Sequence, residues 1–491
     1  MLSAIETIQQ IYEKYKDDTY MIPKIHHYIT IQLPAIFDTM KTTREESVKK
    51  IQEKTNVQDS FIQNFLNNHS FYYIPSTEKF FYYDGLHYTL YSEDEILHSI
   101  SKECGVSSWK QRTRISTMKK IKDSSLMTTI PNTETIQSVI EMLFPIFFNS
   151  KTQTKYFLTI LGDNILKKTP NMIYFMNTKA KAFLRELDNY SQVYIGTHLN
   201  QTFKYKYHEH DYSCCRLLQI NDAVKMENLW FPVVNQSYLD IICVAIHYSN
   251  RFSSADNYLI TYSNDDALIQ YAFYLKENSP QLLIQTFLNE YIQSASLINN
   301  NTSIIEWKNM QYLWKHFLDA KKLPSVIFQQ NLKQLFLENM GEKYDEPTDS
   351  FVGVFSKYNP TIQKFLQFWE ETMIAHDDAC ELEVDEIILL FKKWTFGMDT
   401  SSPNITDKQI IDLITHFYPT VEIENDKFVY KIRSTLWDKS ADVSLTLESM
   451  CENISTYDAY EKYCKEQRKQ DKIIVSKYFF EKFMFEWSRD S

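Results

Sequence analysis

Two short basic stretches carry the side chains best suited to chemistry in this chain. The first runs from Trp109 through Lys110, Arg112 and Arg114 to Lys119, Lys120 and Lys122, with no acid before Asp123. Six positive charges beside an aromatic ring suit contact with a phosphate backbone and stacking on a base. They equally suit a solvated helix face beside a core tryptophan. The second stretch, Phe203-Lys204-Tyr205-Lys206-Tyr207-His208-Glu209-His210, alternates with period two. As a strand it puts Lys204, Lys206, His208 and His210 on one face and the aromatic rings on the other. His208 and His210 form a His-x-His pair that can contribute to a metal site, yet no third or fourth ligand is identifiable. A structural pair of histidines and a nucleic-acid contact are the other two readings.

Other candidate groups carry less. Glu381, Glu383, Asp385 and Glu386 are acids spaced one or two apart, so on a helix they diverge. A solvated first helical turn favoured by the dipole is the expectation there, and no metal is expected. Ser/His/Asp and Cys/His spacings typical of hydrolases are absent from the sequence. The 7 cysteines are odd in number and scattered, without a Cys-x-x-Cys pair, which argues against a disulfide framework or zinc ribbon and for a reducing cytosol.

Composition limits the chemistry further. Of 491 residues only 7 are glycine, while aromatic residues reach 15%. Gly-x-Gly-x-x-Gly and Gly-x-x-x-x-Gly-Lys-Ser/Thr loops are absent, which leaves no standard dinucleotide or nucleoside triphosphate cradle, and no cofactor is expected. The richness in Ile, Asn, Lys, Tyr and Phe suits translation of an AT-rich genome, such as that of a large DNA virus. With a formal net charge of −11, any nucleic-acid binding must be local. The N-terminus has no apolar signal-like run, and the longest apolar runs, 142–148 and 241–246, fall well below the ~18 to 20 residues of a membrane span. A soluble intracellular protein is expected.

The elements that must position these groups read as mixed, mostly α. Residues 1–130 read as helices followed by an aromatic β meander over 71–92 and the first basic patch. The meander runs through Phe71–Ile74, Phe80–Tyr83 and His87–Tyr91, with a turn at Asp84-Gly85. Ser92 with Glu95 forms a capping box. Residues 131–293 read as a core with helical, strand and loop segments. An Asn/Ser-rich linker follows at 294–303, then a helical connector at 304–350. Within 351–440, Thr406 and Gln409 open a helix that Pro419 stops, and Asn425-Asp426 marks a hairpin turn. Residues 441–491 read as a helical tail.

One segment has the order of a nucleotide-binding cassette. Tyr156–Leu166 reads as a helix closing on Gly162, Met172–Phe175 as a strand, Lys179–Leu184 as a helix start and Leu217–Ile220 as a second strand. With the 80–100 segment FFYYDGLHYTLYSEDEILHSI and the acidic-hydrophobic helix Glu381–Trp394, it resembles the superfamily 3 helicases of the poxvirus and phage primase–helicase type. That resemblance implies a degenerate ATPase-like core in 131–293 and a winged-helix-like module in 351–440. Asn177-Thr178-Lys179-Ala180-Lys181 stands where the phosphate loop belongs. No glycine falls between Gly162 and Gly196, neither Lys179 nor Lys181 is followed by Ser or Thr, and Asn221 occupies the acidic position, one before Asp222. The implied function is an ATPase-inactive, DNA-binding accessory factor in genome replication of a large DNA virus, at the host cytoplasm or viral factory. Its implied partners are DNA, other viral replication proteins and further copies of itself, without a membrane. A structural or interaction protein of a giant virus is the alternative, and an active divergent helicase a third reading.

Overall fold

Amphipathic spacing and well-formed caps account for most of the elements in the computed structural model, which describes residues 3–104, 110–206, 210–294, 303–376, 381–397, 405–449, 455–470 and 472–490. The fold is mixed and mostly α, with small separate sheets. The chain forms two units. One comprises residues 1–203 and 218–271, the other 204–217 and 272–491.

The first unit opens with helices α1 (Ala4–Lys14), α2 (Met21–His27) and α3 (Leu33–Asn68). Ser3 and Glu6 cap α1 reciprocally, and α2 runs through a π turn at Tyr28–Gln32 into α3, with Pro34 just after it. α3 is one helix of 36 residues, of which only Ile62 and Phe65 are buried. The aromatic meander forms as expected: β1 (Ser70–Ile74) pairs antiparallel with β2 (Lys79–Tyr83), and β2 with β3 (Tyr88–Tyr91). α4 (Glu93–Glu103) begins at the expected Ser92/Glu95 capping box. One apolar cluster then locks α3, the meander, α4 and α5 (Lys110–Asp123) together through Phe65, Phe71, Phe80, Ile96, Ile100, Met118 and Ile121.

After α6 (Thr133–Leu143), helix α7 (Lys151–Ile165) is buried along nearly its whole length. Gly162 does not end this helix; it lies inside it. A Cβ there would come 2.1 Å from the Ala245 carbonyl oxygen, so the glycine lets two helix backbones touch. β4 (Ile173–Phe175) follows, then a short turn and α8 (Lys181–Tyr194). Within the unit, Tyr174 N–H donates to the Thr202 carbonyl at 2.8 Å, and Leu218 N–H to the Phe175 carbonyl at 2.9 Å. Leu218 thus lies beside the end of β4; residues 218–220, expected as strand, are irregular, and the strand here is Cys215–Leu217. α9 (Glu227–Phe252) bends at Ser237 and buries Leu239–Ile246. It is the one helix among the described residues long and apolar enough to cross a membrane by length and composition, and 56% of that stretch is buried within the protein.

In the second unit, helices Pro280–Tyr291, Trp307–Ala320 and Gln329–Met340 meet at Phe287, whose ring lies edge-on to Trp314, Phe317 and Phe336. Helix Asn359–Thr372 leads to strand Glu381–Glu383, helix Val384–Gly397 and helix Asp407–Phe417, the last opened by the expected Thr406/Gln409 capping box. The expected hairpin forms between Ile423–Glu424 and Phe428–Tyr430, with Asn425 and Asp426 at φ 55° and 53° in its turn. Strand Glu381–Glu383 adds to its other edge. Helices Lys439–Glu448, Thr456–Lys469 and Lys477–Asp490 pack around Val443, Tyr463, Phe479 and Phe480, while Tyr457 stays exposed.

Candidate nucleic-acid interface and the Lys179–Asp222 site

Helix α5 sorts its side chains by face. Thr113, Thr117, Met118 and Ile121 are buried, whereas Arg112, Ile115, Lys119 and Lys122 are exposed, at spacings of three and four residues. That spacing aligns Arg112, Lys119 and Lys122 along one solvent-facing ridge. Lys120 and Arg114 are half-buried, and Nε of Arg114 is enclosed without a hydrogen-bond partner among the described residues. Lys122 lies 3.7 Å from Glu93 and over the rings of Tyr73 and Phe80, which fixes the end of the ridge. Lys110 begins the helix; Trp109 lies outside the described residues.

The second basic stretch departs from its expected form. Among its described residues only Phe203–Lys204 is strand; Lys206 makes an isolated bridge to Ser325. The strand stops before Tyr205, so Lys204 and Lys206 do not share one strand face. Lys204 is half-buried, Lys206 exposed and His210 half-buried, while His208 lies outside the described residues. Burial pushes the Tyr205 hydroxyl up to about 12, consistent with an aromatic ring turned inward. Lys204, Lys206 and His210 belong to the second unit and α5 to the first. Among the described residues no group of three or more His, Cys, Asp or Glu is placed to hold a metal ion.

The cassette region holds one ion pair that sequence spacing does not make evident. The Asn177 side chain accepts the Lys179 backbone N–H at 3.0 Å and so opens the turn Thr178–Ala180 that leads into α8. Lys179 Nζ then meets Asp222 Oδ1 at 2.8 Å. Lys179 comes after the C-terminal end of β4, and Asp222 after the 217–220 segment beside it. Here a carboxylate of the chain itself sits against the lysine. A one-residue offset hides Asp222 from a motif reading, and strand adjacency is the signal that finds it.

The acids of 381–386 are not a solvated turn. Glu381, Glu383 and Glu386 are each 5% exposed or less. Alternation on the strand places Glu381 and Glu383 on one face, and the chain turns there into the helix that carries Glu386. Glu381 pairs with Lys482 at 3.5 Å, Glu383 with Lys427 at 3.1 Å and Glu386 with Lys439 at 3.1 Å. Burial pushes the Glu386 carboxyl up against the pull of Lys439. Asp385 alone is exposed. No family model, curated protein or solved structure matches this chain.

Proposed function

We propose that this protein is an ATPase-inactive, helicase-like DNA-binding accessory factor in the genome replication of a large DNA virus, working in the host cytoplasm or viral factory with other replication proteins. The observation that carries the reading is the α5 ridge: Arg112, Lys119 and Lys122 exposed on one face of a helix whose reverse face is locked in the core. A cationic ridge of this kind meets phosphates without reading bases. The Lys179–Asp222 pair supports the absence of turnover. A lysine paired with the exposed Asp222 carboxylate, in a turn without glycine, lacks the converging N–H groups a triphosphate needs.

The test uses the purified full chain. Binding to a labelled oligonucleotide that weakens as salt rises is the expected result, with no ATP hydrolysis above buffer for either the wild type or Lys179→Ala. Salt-independent binding, or none, removes the proposal; hydrolysis abolished by Lys179→Ala restores an active helicase. A second reading, an interaction protein with no nucleic-acid role, is favoured by α1–α3. There Ile5, Phe37, Met40, Val48 and Ile51 are each more than half exposed.

A further inference from the structure

Helix α3 is longer than its packing within the first unit requires. Ile62 and Phe65 are buried near its C-terminal end, whereas every residue from 34 to 57 is exposed. That run spans about 36 Å at 1.5 Å per residue. Helices draw most of their stability from an apolar face packed against another element. The exposed run carries such a face, and it continues the buried one. Counting heptads back from Ile62 at position a and Phe65 at position d places Lys41, Val48 and Thr55 at a, and Phe37, Arg44, Ile51 and Gln58 at d. Phe37, Val48 and Ile51 are each more than half exposed, as is Met40 beside them at g.

The hydroxyl groups along this seam are already satisfied by the helix itself. Thr55 donates to the Ile51 carbonyl at 3.0 Å and Ser47 to the Thr43 carbonyl at 2.7 Å. Excluding water there leaves no donor unpaired. Arg44 and Gln58 are isolated polar seam positions of the kind that fix register and strand number.

Charge decides which copy fits and in which direction. The e positions are Asp38, Glu45, Gln52 and Asp59, and the g positions from Met40 onward are Met40, Ser47, Lys54 and Phe61. An antiparallel copy sets the e row against itself, acid facing acid. A parallel copy sets e against g. Lys54 of each chain then meets Asp59 of the other, and Arg44 enters a hole bordered by the other chain's Glu45. All four side chains are exposed, and none of them forms an ion pair among the described residues. The ion pair between Glu46 and Lys50 lies at f and c, off the seam. We propose that α3 pairs with α3 of a second copy of this chain as a parallel, two-stranded coiled coil over residues 37–58. The surface uses neither the α5 ridge nor the Lys179–Asp222 pair, and it does not rest on the DNA-binding reading.

The test is the mass of the full chain by size-exclusion chromatography with light scattering, from about 1 to 100 μM. The expected mass is two chains of 58.5 kDa. Val48→Glu/Ile51→Glu replaces two exposed side chains, so circular dichroism should stay unchanged while the mass falls to one chain. Lys54→Asp should weaken the dimer about ten-fold, and Lys54→Asp/Asp59→Lys should restore it, because the parallel register sets these two positions against each other. Arg112→Glu/Lys119→Glu should leave the mass unchanged, which separates this surface from the α5 contact. A mass other than two chains across the range, or a dimer that survives Val48→Glu/Ile51→Glu, overturns the proposal. So does a charge exchange that fails to restore association. A single-chain protein that sediments with anionic vesicles also overturns it and assigns the stripe to a lipid surface.

Discussion

Asp163 and Gly162 show how single residues set the packing of the first unit. Asp163 is fully buried at the junction of α7 and α9, where it accepts the Ser249 hydroxyl at 2.6 Å and the Ala255 N–H at 2.8 Å. Burial pushes its carboxyl up to about 6, well above the usual carboxylate range. A raised carboxyl favours the protonated form in the folded state. Its contribution to stability is therefore complete below about pH 4, the ordinary value of an unfolded aspartate, and is lost as pH rises through about 6. Urea midpoints should fall across that window, and Asp163→Asn should flatten the fall; an unchanged pH profile in the variant would contradict this assignment. Gly162 is legible in the sequence as a special position, but its reason is not. A motif reading makes it a helix end, whereas the Ala245 carbonyl beside it makes it a contact between helices distant in sequence. Gly162→Ala should cost about 3 kcal/mol or prevent folding, measurable as a large loss in Tm.

Elements show where local signals suffice and where they do not. The meander, the Ser92/Glu95 and Thr406/Gln409 boxes and the Asn425-Asp426 turn depend on residues within a few positions of one another, and each forms where the sequence places it. The strand expected from Phe203 onward stops at Lys204, because the path of the chain at Lys206 is set by tertiary partners such as Ser325, which period two does not encode. Spacing also misleads at the 381–386 acids, because burial there depends on Lys427, Lys439 and Lys482, which lie 44 to 101 residues further on. These pairs give a second stability test. Lys439→Met should leave Glu386 buried and unpaired and cost about 3 kcal/mol, while adding Glu386→Leu should recover most of the loss. A double-mutant cycle by chemical denaturation reads the coupling, and additive losses would mean that the pair contributes nothing. The α5 ridge is legible in its charges, and the structure adds which of them share a face: Arg112, Lys119 and Lys122, with Arg114 and Lys120 partly withdrawn.

At the scale of the whole molecule, fold class is readable from composition and periodicity, whereas the division into units is not. The chain leaves the first unit at residue 204 and returns at 218, a topology without a composition shift to mark it. Phe175 and Leu218 meet through a backbone hydrogen bond and Lys179 pairs with Asp222, and no glycine lies between Gly162 and Gly196. The proposed function rests on the cationic ridge of α5, which would hold nucleic acid through its phosphates. The salt dependence of binding to a short DNA duplex tests this most directly. Three ridge cations predict a slope of log affinity against log salt near about −3, falling to about −1 in Arg112→Glu/Lys119→Glu, with tenfold or greater loss of affinity at low salt. A slope near zero, or a slope and affinity unchanged in the double variant, would contradict the account.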